Sequence, residues 1–242
     1  MEQPRGKRPP GVLAGSRARG LPRLVVLVLV AFAVVEALLL GLGLLVTRGL
    51  DGAGLHAEEA ELVRAVAAER TAVWDRITLW GTVLGSTWVV IGLTAAGCLV
   101  LLRRGHGPRL PAFLALAVAG ETGLFLLAAL VVDRERPPVE QLDLAPPTSS
   151  FPSGHTAATL ALGCGLALGL ARTRPGHRLL ALIWVLAVAF AAFVMATRLY
   201  RGMHWPSDLA ASVAFVAVWL VLLRAVLLPP RPEGRAAPPG GG

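Results

Sequence analysis

The sequence is short of charge. Only 16% of its 242 residues are Asp, Glu, Lys or Arg, against roughly 25% in a soluble domain. That deficit argues against a water-soluble globule. A hydrophobic share of 55% and a mean hydropathy of +0.66 point to a membrane protein instead. Cysteine is scarce too: Cys98 and Cys164 both sit inside apolar runs and read as small core residues, not as a disulfide or a metal pair. No basic stripe interleaved with aromatics occurs, so the net charge of +8 and the pI of about 11.2 do not indicate nucleic acid. Much of the basic excess flanks apolar runs, as membrane topology requires. A clear small-residue cleavage site is also missing. The first apolar run, 24–46, is too long for a signal peptide and reads as a span.

Five further runs, 79–102, 111–132, 156–171, 179–196 and 209–228, approach or exceed the length of about 20 residues that crosses a bilayer as helix. The expected fold is therefore an all-α bundle of six transmembrane helices, with both termini on one side. One set of flanks carries Arg5, Lys7, Arg8, Arg17, Arg19 and Arg23, then Arg103, Arg104 and Arg109, then Arg172, Arg174 and Arg178, then Arg224, Arg231 and Arg235, with almost no acid. The opposite set mixes its arginines with Asp51, Glu58, Glu59, Glu61, Glu69, Asp75, Asp133, Glu135, Glu140 and Asp143. The positive-inside rule makes the first set cytoplasmic. Residues 1–23 and 229–242, rich in Pro, Gly and Arg, are expected to be disordered cytoplasmic tails around a membrane domain at 24–228.

The first outer loop, about 53–78, is not plain linker. Leu55, Leu62, Val66, Val73, Ile77 and Trp80 recur at helical spacing with charges opposite. This predicts a helix on the membrane surface, with Trp74 and Trp80 at headgroup depth. It could admit a headgroup, or serve as an anchor or lid.

Two other outer loops hold nearly all the unusual polar residues. The first runs from Asp133-Arg134-Glu135-Arg136-Pro137 to Pro152-Ser153-Gly154-His155. The second reads Thr197-Arg198-Leu199-Tyr200-Arg201-Gly202-Met203-His204-Trp205-Pro206-Ser207-Asp208. His155 and His204 lie on one side of the membrane at helix boundaries. Asp208, four residues after His204, can reach back to its imidazole, fix the tautomer and leave the other nitrogen nucleophilic. Arg136 and Arg198 have the fork geometry that grips phosphate oxygens. Ser153 and Gly154 precede a helix, where free N–H groups favour an anion. A nucleophile, an orienter, a general acid and an anion cradle together point to phosphoryl transfer.

Arg136-Pro137, then Pro152-Ser153-Gly154-His155, then Arg198, His204 and Asp208 resemble the three-part signature of the type-2 phosphatidic acid phosphatase superfamily, in its membrane lipid phosphate phosphatase branch. The resemblance covers about 24–228. It implies that His204 attacks phosphorus to form a phosphohistidine, that Asp208 orients it and that His155 protonates the leaving oxygen. It further implies that Arg136, Arg198, Ser153 and the Gly154 amide hold the phosphate. No metal or other cofactor is implied. The lysine expected seven residues before the arginine is Ala129 here, and Thr197 stands where serine is usual. Arg134 and Arg201 are the nearest cations to replace the lysine.

Glu36 and Glu121 fall inside spans, where a carboxylate costs a few kcal/mol. Glu121 lies about 22 Å of helix from Arg136, too deep for phosphate. The Gly81/Gly85 and Gly165/Gly169 pairs fit close helix contacts. The expected partners are membrane lipids and a lipid phosphate: phosphatidate, phosphatidylglycerophosphate or a polyprenyl diphosphate such as undecaprenyl diphosphate. The site would open outside the cytoplasm. The alternatives are a phosphotransferase on the same scaffold and a non-catalytic transporter or scaffold.

Overall fold

Apolar runs of this length bury their backbone polar groups internally, as helices must in lipid, and helix is the only regular structure among the described residues. The computed structural model describes residues 12–50, 54–144 and 148–229. In chain order come α1 (Val12–Leu44), ending in a π-helical turn at Leu45–Gly49, α2 (Leu55–Ala68), α3 (Ala72–Leu84), α4 (Thr87–Arg103), α5 (Arg109–Val131), α6 (Gly154–Leu170), α7 (His177–Tyr200) and α8 (Pro206–Leu227).

Five of these helical stretches are long and apolar enough to cross a membrane, running from 20 to 29 residues, about 30 Å or more at 1.5 Å per residue. A sixth crossing exists if α3 and α4 count as one span bent by 49°. The expected second span, 79–102, is thus divided: its first turns belong to α3, and the chain breaks at Gly85 and Ser86. Ser86 has extended backbone angles and restarts the helix as the N-cap of α4. The first helix begins at Val12, earlier than the expected tail boundary at Arg23, and runs through Gly20 and Pro22, both of which disfavour a helix interior. The rest of the expected tails, 1–11 and 230–242, lies outside the described residues.

α6, the central helix, packs against α5, α7 and α8. Small residues allow the approach: a Cβ on Gly169 would lie 2.8 Å from Leu110 Cδ1, and one on Gly165 3.3 Å from the Ala117 Cβ. The Gly81/Gly85 pair works likewise, with Gly81 against Thr197 and Gly85 against Val194 of α7. Where α1, α5 and α8 meet, Trp219 donates its indole N–H to the Ala117 carbonyl at 3.0 Å and stacks edge-on with Phe32. Hydrophobic association between helices has no driving force in lipid, so close packing of this kind does the work.

The segment 53–78, expected as one surface helix, differs from that expectation. It is two helices, α2 and α3, parted at Glu69–Thr71, with the Thr71 hydroxyl capping α3 by accepting from Trp74 N at 3.4 Å. Leu62, Val73, Ile77 and Trp80 of the expected stripe are exposed, and so is Trp74, as a lipid-facing surface would be. The face of α2 turned to the protein is Glu59, Ala60 and Val63, packed with Trp205. Burying a carboxylate there requires partners, and Glu59 finds them beside the candidate site.

Candidate active site

The two motif-bearing loops are stitched together at one end of the bundle. Ser150 N donates to the Arg134 carbonyl at 2.9 Å, and Leu142 N to the Arg201 carbonyl at 3.1 Å. Arg201 returns a bond from Nη2 to the Leu142 carbonyl at 2.6 Å. Trp205 Nε1 donates to the Glu135 carbonyl at 2.8 Å. These bonds fix the loop carrying Arg136 and the start of α6 against the turn that carries His204.

His204 is 5% exposed, and its surroundings select one tautomer. Nδ1 lies 2.7 Å from the Ser150 carbonyl. A carbonyl can only accept, so Nδ1 carries the proton and Nε2 keeps its lone pair. Asp208 Oδ2 stands 3.8 Å from the same nitrogen, beyond hydrogen-bond length. The sequence reading gave the orienting bond to Asp208; in the structure that bond goes to main chain, with Asp208 as the adjacent negative charge. Asp208 instead accepts from Trp205 N at 2.9 Å, an acid at the third helical position closing back on the N-cap. Burial pushes the imidazole of His204 below its ordinary value of 6.5, with Asp208 pulling the other way. The ring is therefore neutral at pH 7, as a nucleophile must be.

Five of the nine residues singled out in the sequence, Arg136, Gly154, His155, Arg198 and His204, line one cavity of about 400 Å³. Arg198 Nη1 donates to Asp143 Oδ2 at 2.6 Å and to Thr82 Oγ1 at 2.9 Å. Arg136 Nη1 donates to the Met203 carbonyl at 2.6 Å. The Nε atoms of both arginines are buried without a hydrogen-bond partner among the described residues. A buried, unpaired guanidinium donor is costly, and an anion beside both would satisfy them. Burial draws the Arg136 pKa down and Asp208 partly restores it. Gly154 is the first residue of α6, so the helix end with free N–H groups faces the same space.

The other four do not line this cavity. Ser153 is fully buried, its N–H donating to Ser212 Oγ at 2.9 Å and its hydroxyl accepting from Thr156 at 3.1 Å. Asp208 lies behind His204. Arg134 lies behind Asp208, ion-paired to it and to Glu59, the latter at 2.8 Å. Arg201 holds Asp143 Oδ1 at 2.8 Å. Neither Arg134 nor Arg201 therefore stands in the cavity where a motif lysine would be needed.

Sequence reasoning missed Glu59, Ser150, Asp143, Thr82 and Ser207 as parts of the site. Ser207 sits inside the third motif, and its position was the available signal. Glu59 and Asp143 looked like solvated loop acids. Glu121, expected from helix length to lie too deep for phosphate, is also among the residues that line this cavity.

The model of the PAP2 superfamily, the type-2 phosphatidic acid phosphatases, matches residues 86–229. The chain belongs to the PAP2 superfamily. Among relatives, it is 41% identical over 92 residues to phosphatidylglycerophosphatase B of Escherichia coli, covering 37% of this chain and 33% of that one. The matched stretch thus spans about a third of that relative's length. It is 28% identical over 152 residues to an undecaprenyl-diphosphatase of Sulfolobus acidocaldarius, covering 62% of this chain and 69% of that one. In fold it is similar to the crystal structure of a transmembrane PAP2-type phosphatidylglycerolphosphate phosphatase from Bacillus subtilis, with TM-score 0.66 and 18% identity over 84% of this chain and 94% of that one. The PAP2 protein described here is accordingly a multi-pass, all-α membrane protein.

Proposed function

We propose that this protein is a membrane phosphatase that hydrolyses a lipid phosphate or polyprenyl diphosphate through a phosphohistidine on His204. One observation carries the reading: Nε2 of a neutral, tautomer-fixed His204 shares a cavity with His155, two arginines that have unpaired buried Nε donors, and the start of α6. The names of the relatives, a phosphatidylglycerophosphatase and an undecaprenyl-diphosphatase, support the substrate class.

In the proposed reaction the phosphate lies between Arg136, Arg198 and the Gly154 amide. Nε2 of His204 attacks phosphorus, the P–N bond forms, and the bond from phosphorus to the leaving oxygen breaks. His155 gives its proton to that oxygen. Water then attacks phosphorus while His155 takes a proton from it, the P–N bond breaks and inorganic phosphate departs. Charge stabilisation by the arginines supplies most of the acceleration. His155 and His204 are both used in this cycle, and it needs no metal.

Part of the cavity lining is apolar. Val90 and Ile91 of α4, and Val118, Phe125 and Leu126 of α5, form that part. It suits the first part of a lipid tail, with the rest of the chain in the bilayer. The arginine-rich flanks support cytoplasmic termini and an extracytoplasmic site, on a membrane domain spanning about 24–228.

The test is phosphate release from phosphatidate, phosphatidylglycerophosphate and undecaprenyl diphosphate by detergent-purified protein in EDTA, beside His204→Ala. EDTA-resistant release that the variant lacks supports the reading. Release that survives in His204→Ala sinks it.

A further inference from the structure

Glu59 belongs to the outer helix α2, remote in sequence from every motif, yet it is 5% exposed. Its Oε2 accepts from Arg134 Nη2 at 2.8 Å. Its Oε1 accepts from Ser207 N at 2.6 Å, and Oε2 lies 3.0 Å from Ser207 Oγ. Ser207 is in the first turn of α8, so the carboxylate caps a free N–H at the positive end of that helix. Arg134 Nη1 bonds Ser207 Oγ at 2.8 Å and also the Asp208 carboxylate. The guanidinium lies 5.3 Å from the centre of the Trp205 ring. Arg134 and Asp208 are 8% and 0% exposed, so water does little to screen the cluster.

We propose that Glu59 and Arg134 are positioning residues: a buried Glu59–Arg134–Asp208 chain, closed on Ser207, that carries α2 into the active site and holds the carboxylate beside His204 in place. The proposal rests on the phosphatase reading of His204. It gives Arg134 a role other than phosphate binding, and it makes α2 more than an anchor or a lid.

The charges define the signature. His204 is faced by Asp208 from α8, Arg136 and Asp143 from the outer loop, Arg198 from α7 and His155 from α6. Arg134 and Glu59 lie one and two groups behind Asp208. Glu59→Gln keeps the shape and removes a negative charge, so the imidazolium of His204 is less favoured. The acid limb of kcat/KM then moves to lower pH. Arg134→Gln removes a positive charge behind Asp208, so the imidazolium of His204 is more favoured and the acid limb moves up. Opposite shifts, of about half a unit or more, are something a merely structural role would not produce.

The experiment measures kcat, KM and the pH profile for wild type, Glu59→Gln, Arg134→Gln and Arg134→Lys. It adds inhibition by orthovanadate as a phosphate mimic, and the His204 titration by NMR of ring-labelled histidine, which needs no substrate. Melting in detergent checks the fold; if Arg134→Gln does not fold, Arg134→Lys and Glu59→Gln carry the test. The expected result is a fall in kcat of about tenfold or more, opposite pH shifts, partial rescue by Arg134→Lys and unchanged vanadate affinity. Vanadate binding weakened tenfold by Arg134→Lys or Arg134→Gln would make Arg134 a phosphate ligand and overturn the proposal. So would a His204 titration unmoved in Glu59→Gln. A wild type silent on every lipid would sink the phosphatase reading, while the NMR titration would still decide the chain behind Asp208.

Discussion

Two ion clusters flank the candidate site, and they are built as opposites. On the cavity side, one carboxylate, Asp143, is shared by two arginines, Arg198 and Arg201. Behind the imidazole, one arginine, Arg134, is shared by two carboxylates, Glu59 and Asp208. Each is a triad with one charge left over, its arginines buried and, of the carboxylates, Asp143 alone partly exposed. The first is left positive, with the Arg198 Nε buried and without a hydrogen-bond partner among the described residues. The second is left negative beside His204. An isolated buried charge is expensive, but a triad keeps a surplus charge with most of its hydrogen bonds satisfied. The fold thereby places a positive triad at the cavity and a negative triad behind His204, the arrangement that the proposed phosphohistidine chemistry would use.

The comparison breaks most completely at the cavity side. Arg198→Ala removes the inward-facing charge, and phosphate release should fall by about a hundredfold or more in kcat/KM; a loss below threefold would detach the positive triad from catalysis. Asp143→Ala leaves Arg198 and Arg201 as uncompensated buried neighbours. It should destabilise the protein by about 3 kcal/mol in denaturant melts, alongside a raised KM. Next comes pH. The downward shift of His204 means that the folded protein favours the neutral ring. Stability from this residue is therefore complete above its ordinary value of 6.5 and is lost as the pH falls below it toward the lowered pKa. The acid limb of activity should lie below 6.5; a limb above that value would contradict a buried neutral nucleophile. The smallest effect belongs to Glu121→Gln. This carboxyl is partnered, among the described residues, by Thr122 at 3.4 Å, and its amide has the same shape. Activity within about twofold of wild type is expected for a residue that touches neither triad, as kinetics on one substrate would show.

The asymmetry between the two triads was not visible in the sequence, although most of their members were. Arg198, His204 and Asp208 sit in one twelve-residue stretch, and motif spacing brings them together whatever the rest of the chain does. Hydropathy likewise exposed the spans, because lipid demands unbroken apolar length. It could not reveal the division at Gly85 and Ser86, where the apolar run continues through a change of direction. Glu59 and Asp143 were missed for a third reason. A carboxylate on the polar side of an amphipathic helix looks the same whether water or a buried guanidinium awaits it, and only tertiary packing decides. Arg134 shows the converse: two residues from Arg136, it lies on the far side of Asp208 because two carboxylates compete for it there.

The acceptor that fixes His204 is the Ser150 carbonyl, a group present whatever amino acid occupies position 150. No point mutation can delete it. Inheritance can alter the charge beside the imidazole through Asp208, but the choice of tautomer is written into the course of the backbone. A lineage that lost Asp208 would keep the tautomer and presentation of His204 and lose the charge beside it, and a single reversion could restore that charge.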